Sequence, residues 1–499
     1  MHARALSWRW MILLLVVAAM PMLAVTVPQA SDYPNHLARM HVFSEIGRGT
    51  PLDRYFRVDW RWIGNLGVDL PVVMLAPLFG VETAARLISA LIAPLTVIGI
   101  AMLSRSVHGR VTGSALLALP FVFAQPFLFG FINYCLAVAV ALIVAALWNT
   151  TVRRTPLRLA GFAIAATFVW TAHLMGWAIL LLLVAGSELA QVRRARDLLA
   201  RALAATPLLA PVIPLVLWRS SGGGQPYWQD PAILTSKFMN FVTVLKGLWL
   251  PFDLAMTAII GLLAIVAVLS AGGRRLEPRL ATGAGLLLVA ALLLPTKIFE
   301  SWAADLRLTS VAVMVAITAI GPATSPQREK LLTLIGAALF VTRVGWTTVQ
   351  WYRADRLLTA RLAVLDAVPA GSRVGFLSVD TSGKVPWTLT PDRKLGGYAV
   401  TRRDSFTNSL FQTPGSEVMV FRRPRDRATW FDGSQDITDL PMLRTRIAQM
   451  QADDFNAIWV AGLKDVPPIP GYAIAYASDT DTLFLRPGFL RPARPAAPR

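Results

Sequence analysis

The chain has 499 residues, of which 55% are hydrophobic and 15% charged, with a mean hydropathy of +0.54 and a formal charge of +19. Water-soluble domains carry about 25% charged residues, so most of this chain is not built for water. Much of the basic excess sits as Arg pairs in short loops between apolar runs, which excludes a nucleic-acid surface as its cause, and the single cysteine, Cys135, excludes disulfides and cysteine-ligated zinc.

The first segment, "MHARALSWRW" followed by "MILLLVVAAMPMLAVTV", has the basic head and apolar core of a signal peptide. Many further apolar runs follow it, so it is read as a retained first helix. Crossing a bilayer takes about 20 apolar residues. Candidate spans fall at 10–27, 88–104, 111–126, 129–149, 157–172, 174–190, 203–219, 254–271, 281–296, 307–323 and 331–348. Residues 111–152 carry no charge at all and would overrun the membrane as one helix, so they divide near "QPFLFG".

Orientation follows from the loops. With the N-terminus inside, alternate loops, from Arg4 and Arg9 to Arg328 and Lys330, collect 16 basic residues against four acidic ones. That asymmetry marks the cytoplasmic side. Eleven crossings then leave the C-terminal part outside.

Three external loops hold polar groups. The first, 28–87, contains Asp32, His36, Arg39, His41, Asp53, Asp59, Asp69 and Glu82; its "HLARMHVFSEIG" and "YFRVDWRWIG" stretches predict a loop lying flat on the outer leaflet. The loop at 220–253 contains a glycine run with Tyr227, Trp228, Asp230 and Lys237. A short one, "TKIFESWAADLR", carries Lys297, Glu300, Asp305 and Arg307.

The expected organisation is a membrane domain over 1–350, a soluble α/β domain over 351–490 and a disordered Pro/Arg tail over 491–499. Residues 346–499 hold 15 of the 29 acidic side chains, which fits a solvated region. Within it, "ADRLLTARLAVLDAV" and "LPMLRTRIAQMQ" read as helices and "FNAIWVAG" as a buried strand. "GYAIAYASDTDTLFLRP" reads as a hairpin. GxGxxG, Walker and HExxH patterns are all missing, so no nucleotide cofactor is expected.

Asp32 stands a few residues beyond the apolar end of the first helix. There it can cap the helix beginning "PNHLAR", with Pro34 in its first turn, or serve as a poorly hydrated base or cation ligand. His36 and Arg39, four and seven residues on, share its helical face. A carboxylate beside cations is what sugar transfer from a phosphate-linked donor needs: a base for the acceptor hydroxyl and positive charge for the leaving phosphate. Outside the cytoplasm the natural donor is lipid-carried. His173, in "VWTAHLMGW", reads as a buried structural histidine or as a phosphate or acceptor contact; Asn133 reads as a tie between helices.

The order "DYPNHLAR", "APLFGVETAARLISALIAPLTVIGIAMLSRSVHG", "FGFINYCLAVAVALIVAALW", "AHLMGWAILLLLVAG" resembles the GT-C superfamily of multi-spanning glycosyltransferases, bacterial polyprenyl-phosphate-sugar-dependent type, over residues 10–345. The resemblance implies an inverting transferase of the bacterial inner membrane. It would move a sugar from a polyprenyl-phosphate donor to a lipid, glycan or other acceptor at the periplasmic face. It puts Asp32 in the role of base or metal contact, with His36 beside it. Where members carry D-x-D or E-x-D, this chain reads Asp32-Tyr33-Pro34, so a paired-carboxylate site for a divalent cation is left open and Asp69 is the replacement second acid. Arg307, then Lys297 and Arg39, match the basic residues that meet the lipid phosphate, with Asp305 placed to orient Arg307. Residue chemistry alone also admits a membrane transporter, another membrane transferase moving an acyl or phospho group, and a non-catalytic assembly factor.

Overall fold

A computed structural model of the chain describes residues 8–151, 155–217, 226–228, 233–271, 275–298, 301–382, 384, 386–410, 417–423 and 437–489. Asp230, Glu300, Arg153, Arg154, Arg274 and the tail 491–499 lie outside the described residues.

Apolar composition makes the first two-thirds helical. Helix α1 (Trp8–Leu23) leads to α2 (Tyr33–Glu45), then strand β1 (Phe56–Val58), α3 (Asp69–Phe79), α4 (Val81–Ala90) and α5 (Ile92–His108). The uncharged stretch that follows is broken, with α6 (Gly113–Ala118), a 3₁₀ turn over Leu119–Phe123 and α7 (Gln125–Phe129) preceding α8 (Ile132–Thr150). Pro120, Pro126 and the left-handed Gly130 (φ +92°) account for the breaks. Next come α9 (Pro156–Ala172), α10 (Leu174–Leu189), α11 (Ala195–Ala205), α12 (Val212–Leu217), α13 (Ile233–Val242), α14 (Leu250–Ser270) and α15 (Pro278–Leu293). A two-stranded ribbon of β2 (Lys297–Ile298) and β3 (Ser301–Trp302) precedes α16 (Ala304–Thr318) and the 37-residue α17 (Pro326–Leu362). The segment "ADRLLTARL" is thus the C-terminal end of α17 and not a separate helix.

Among the described residues, four helical stretches are long and apolar enough to cross a membrane: 81–108, 132–150, 250–270 and 326–367. Shorter apolar helices fall at 8–23, 69–79, 113–129, 156–172, 174–189 and 278–293. The chain is a polytopic helical membrane protein with a β-containing C-terminal region. Helices pack through small residues, as intramembrane contacts require. At the α10–α15 crossing, a Cβ on Gly186 would lie 2.3 Å from the Cα of Gly283.

The C-terminal region adds β4 (Arg373–Ser378), α18 (Gly397–Arg403), β5 (Phe406–Thr407), β6 (Met419–Phe421), α19 (Leu440–Ala452), β7 (Ala457–Ala461), β8 (Ala473–Ala477) and β9 (Asp481–Leu485). Five strands form a mixed sheet in the order β5-β4-β7-β9-β8, parallel across β5-β4-β7 and antiparallel across β7-β9-β8. Continuous apolar runs, such as Ala457–Ala461, suit strands buried on both faces.

The first external loop does not lie flat on a leaflet. Residues Tyr33–Met40 of α2 are all buried, and the helix packs against α3, α4 and α18. β1 pairs antiparallel with β6, with Phe56 opposite Phe421. Val42, Phe43, Leu52 and Phe56 join Phe406, Phe421 and Phe455 in one apolar cluster. The amphipathic pattern of "HLARMHVFSEIG" is weak because the helix is covered on all sides by protein.

Candidate active site

The site forms where α2, the α7–α8 corner, the N-terminal end of α16 and the turn before α18 converge. Asp32 occupies the N-cap position of α2, yet its carboxylate makes no capping hydrogen bond. Its backbone N–H donates to Phe129 O at 2.8 Å. This approach needs glycine at 130, since a Cβ there would stand 2.9 Å from the Asp32 nitrogen. The freed carboxylate pairs instead with the Lys394 ammonium, on a 3₁₀ turn (Asp392–Lys394) just ahead of α18.

Two turns along α2, Arg39 is fully engaged. Its Nε and Nη2 donate to Asp69 Oδ1 and Oδ2 at 2.9 and 2.8 Å, and its Nη1 donates to Glu417 Oε1 at 2.9 Å. Asn133 donates to Asp69 Oδ2 at 2.7 Å and accepts from Val68 N–H at 2.7 Å, which ties α8 to the start of α3. Both oxygens of Asp69 are therefore committed, and the residue is wholly buried. His36 lies between the groups, its Nδ1 3.4 Å from Arg39 Nη2. Burial, then the charges of Arg39, Lys394 and Arg307, hold it well below the usual imidazole range, so it is neutral. Burial outweighs the pull of Arg39 at Glu417 and lifts its carboxyl to about 7.

Arg307 projects from the first turn of α16. Its guanidinium lies 4.0 Å from the centre of the Phe131 ring, and Tyr134 donates to its backbone carbonyl at 2.6 Å. No carboxylate lies within ion-pair distance of Arg307 among the described residues, and its buried Nε has no hydrogen-bond partner there. The charge of Asp32 still reaches it. His173, at the corner between α9 and α10, accepts from Met175 N–H through Nδ1 at 3.1 Å. The neutral ring then carries its proton on Nε2, which stands 3.5 Å from Arg307 Nη1. Two donors face one space, and an acceptor is what both would meet.

Of the residues marked by sequence, Asp32, His36, Arg39, Arg307 and His173 come together. Asp305 does not orient Arg307: two positions apart on a helix they point to different sides, and Asp305 accepts from Lys237 Nζ at 2.6 Å and Asn240 at 3.1 Å. Lys297 belongs to the β2–β3 ribbon and bridges to Tyr227 through its backbone. Asp32 and Asp69 do not fit a paired-carboxylate metal site, because a cation on Asp69 would have to displace Arg39 and Asn133. Among the described residues no group of three or more His, Cys, Asp or Glu side chains is placed to hold a metal ion.

Sequence reading missed Lys394 and Glu417. Their partners lie 362 and 378 residues away, and neither sits in a local pattern that marks it. It also missed the buried pair of Asp253 (α14) with Arg343 (α17), which Trp387 Nε1 caps at 2.7 Å from Asp253.

The architecture as a whole is similar to that of solved structures of one other protein. The chain aligns with the crystal structure of ArnT from Cupriavidus metallidurans bound to undecaprenyl phosphate at a TM-score of 0.51 and 12% identity, covering 98% of this chain and 100% of that one. The apo state of the same protein gives 0.53 and 14%, covering 97% and 99%. At such identities the likeness is one of fold. No protein-family model and no curated protein matches the sequence.

Proposed function

We propose that this protein is an inverting glycosyltransferase that moves a sugar from a polyprenyl-phosphate donor to a lipid or glycan acceptor at the outer face of the bacterial inner membrane. The reading takes eleven crossings, a cytoplasmic N-terminus, a membrane domain over 1–350 and a periplasmic domain over 351–490. The observation that supports it best is Arg307, a buried cation with no carboxylate in reach among the described residues, converging with His173 Nε2–H close to Asp32. Protein interiors rarely leave such a charge uncompensated, and an anionic phosphate supplies the missing partner.

In this reading Asp32 takes the proton of the acceptor hydroxyl. The hydroxyl oxygen bonds to the anomeric carbon as the bond from that carbon to the phosphate oxygen breaks, on the opposite face, which inverts the centre. The departing phosphate keeps the electron pair, and Arg307 with Lys394 meets its charge. Arg39 and Asp69 act by position, fixing α2 against α3. An apolar groove of about 490 Å³ on the same helix, lined by Ala312, Val313, Ala316 and Ile317 of α16 with Phe241 and Leu288, supports a seat for the lipid tail. Ten residues of helix separate Arg307 from Ile317, about 15 Å.

The test is Asp32→Asn in proteoliposomes supplied with polyprenyl-phosphate sugars and envelope lipid and glycan fractions, scored as released polyprenyl phosphate. Loss of a general base predicts a fall of at least about a hundredfold with unaltered chromatographic behaviour. Normal release by this variant would remove Asp32 as the base.

A further inference from the structure

The ion pair of Asp32 with Lys394 poses a problem for the reading above, since an ammonium on Oδ1 stabilises the carboxylate and weakens it as a base. We infer that Lys394 is a transferable counter-ion: it sits on Asp32 when the site is empty and moves to the donor's phosphate when the lipid arrives, so that the base is exposed only in the loaded site. The inference rests on the proposed polyprenyl-phosphate donor and adds a positioning residue from the C-terminal region.

Three cations act on His36. Arg39 is held by Asp69 and Glu417 together. Arg307 is braced on Phe131 and beside His173. Lys394 forms its ion pair with the base itself. A lysine is a compact charge on a flexible four-carbon stem, so the ammonium can move several ångströms while its backbone stays. That backbone is fixed where it matters: three residues on, a Cβ at Gly397 would stand 2.6 Å from Pro34 O in the first turn of α2. The side chain is also little exposed, at 15%, so leaving Asp32 does not carry it into bulk water. A phosphate beside Arg307 offers it a second anion within the same buried space.

The experiment is a double-mutant cycle in nanodiscs with the full-length protein and undecaprenyl phosphate as probe, read as dissociation constants by native mass spectrometry. K394M should weaken binding at least tenfold, and K394R should recover to within threefold of wild type. K394M should cost more affinity in a D32N background than in wild type, because only in wild type does losing the lysine also remove its competing pair with Asp32. If K394M is not monodisperse, K394Q takes its place in the cycle. Unchanged binding by K394M, or an equal cost in both backgrounds, overturns the transfer of Lys394 while leaving the donor reading intact. Failure of the wild type itself to bind undecaprenyl phosphate overturns both.

Discussion

Asp32 and Asp69 are both buried acids in the first external loop, and their surroundings divide their work. Asp69 is held by a bidentate guanidinium and an amide, whereas Asp32 pairs with the Lys394 ammonium through Oδ1. Removing one member of a buried, hydrogen-bonded pair costs about 3–5 kcal/mol because the other charge is left stranded. Asp69→Asn should therefore lower the thermal unfolding midpoint by many degrees, and by more than Asp32→Asn, which loses one contact where Asp69→Asn disturbs three. Equal midpoints for the two variants would contradict the division. Glu417 makes a prediction of pH dependence. Its folded carboxyl keeps a proton up to about 7, against an ordinary value of 4.5. Between those values the folded state binds more protons, so stability falls as pH rises from about 4.5 to about 7 and is flat above. Glu417→Gln should remove that part of the slope, measured as the difference between wild-type and variant midpoints across this window.

At the scale of elements, the corner between α7 and α8 sets where the base stands. Gly130 has a backbone that L side chains rarely adopt and sits against the Asp32 nitrogen. Gly130→Ala should displace Asp32 and reduce transfer at least tenfold, with a smaller effect on unfolding; an active variant would show that the corner does not position the base. The same elements explain what the sequence made legible. Hydropathy located α1, α5, α8, α9, α10, α14 and α15 to within a few residues, because a span needs little more than apolar length. It also marked, near "QPFLFG", where 111–152 divides, though not the earlier break at Leu119–Phe123. It did not reveal that α17 continues past residue 351, since the polar outer turns of "WYRADRLLTARL" look the same whether a helix ends there or runs on. The covering of α2 was hidden for another reason. A helix buried on every side by protein, with His36 and Arg39 satisfied inside, has no apolar stripe to read.

At the scale of the whole molecule, the first loop and the C-terminal region form one body over the membrane helices. β1 completes a ribbon with β6, α2 lies under α18, and Trp387 reaches down to the Asp253–Arg343 pair between α14 and α17. The candidate site is shared between these parts. Its membrane half, Asp32, His36, Arg39, His173 and Arg307, was visible as residue types at external helix ends. Its other half, Lys394 and Glu417, was not, because contacts across 362 and 378 residues leave no mark on local spacing. The central claim is that a lipid phosphate enters this shared, buried space. The most direct measurement is a cryo-EM map of the full-length protein in nanodiscs with undecaprenyl phosphate bound. The account predicts the phosphate in contact with Arg307 and Lys394, next to an Asp32 that has lost its lysine. A phosphate seated at the cytoplasmic face, or outside with Arg307 untouched, would contradict it.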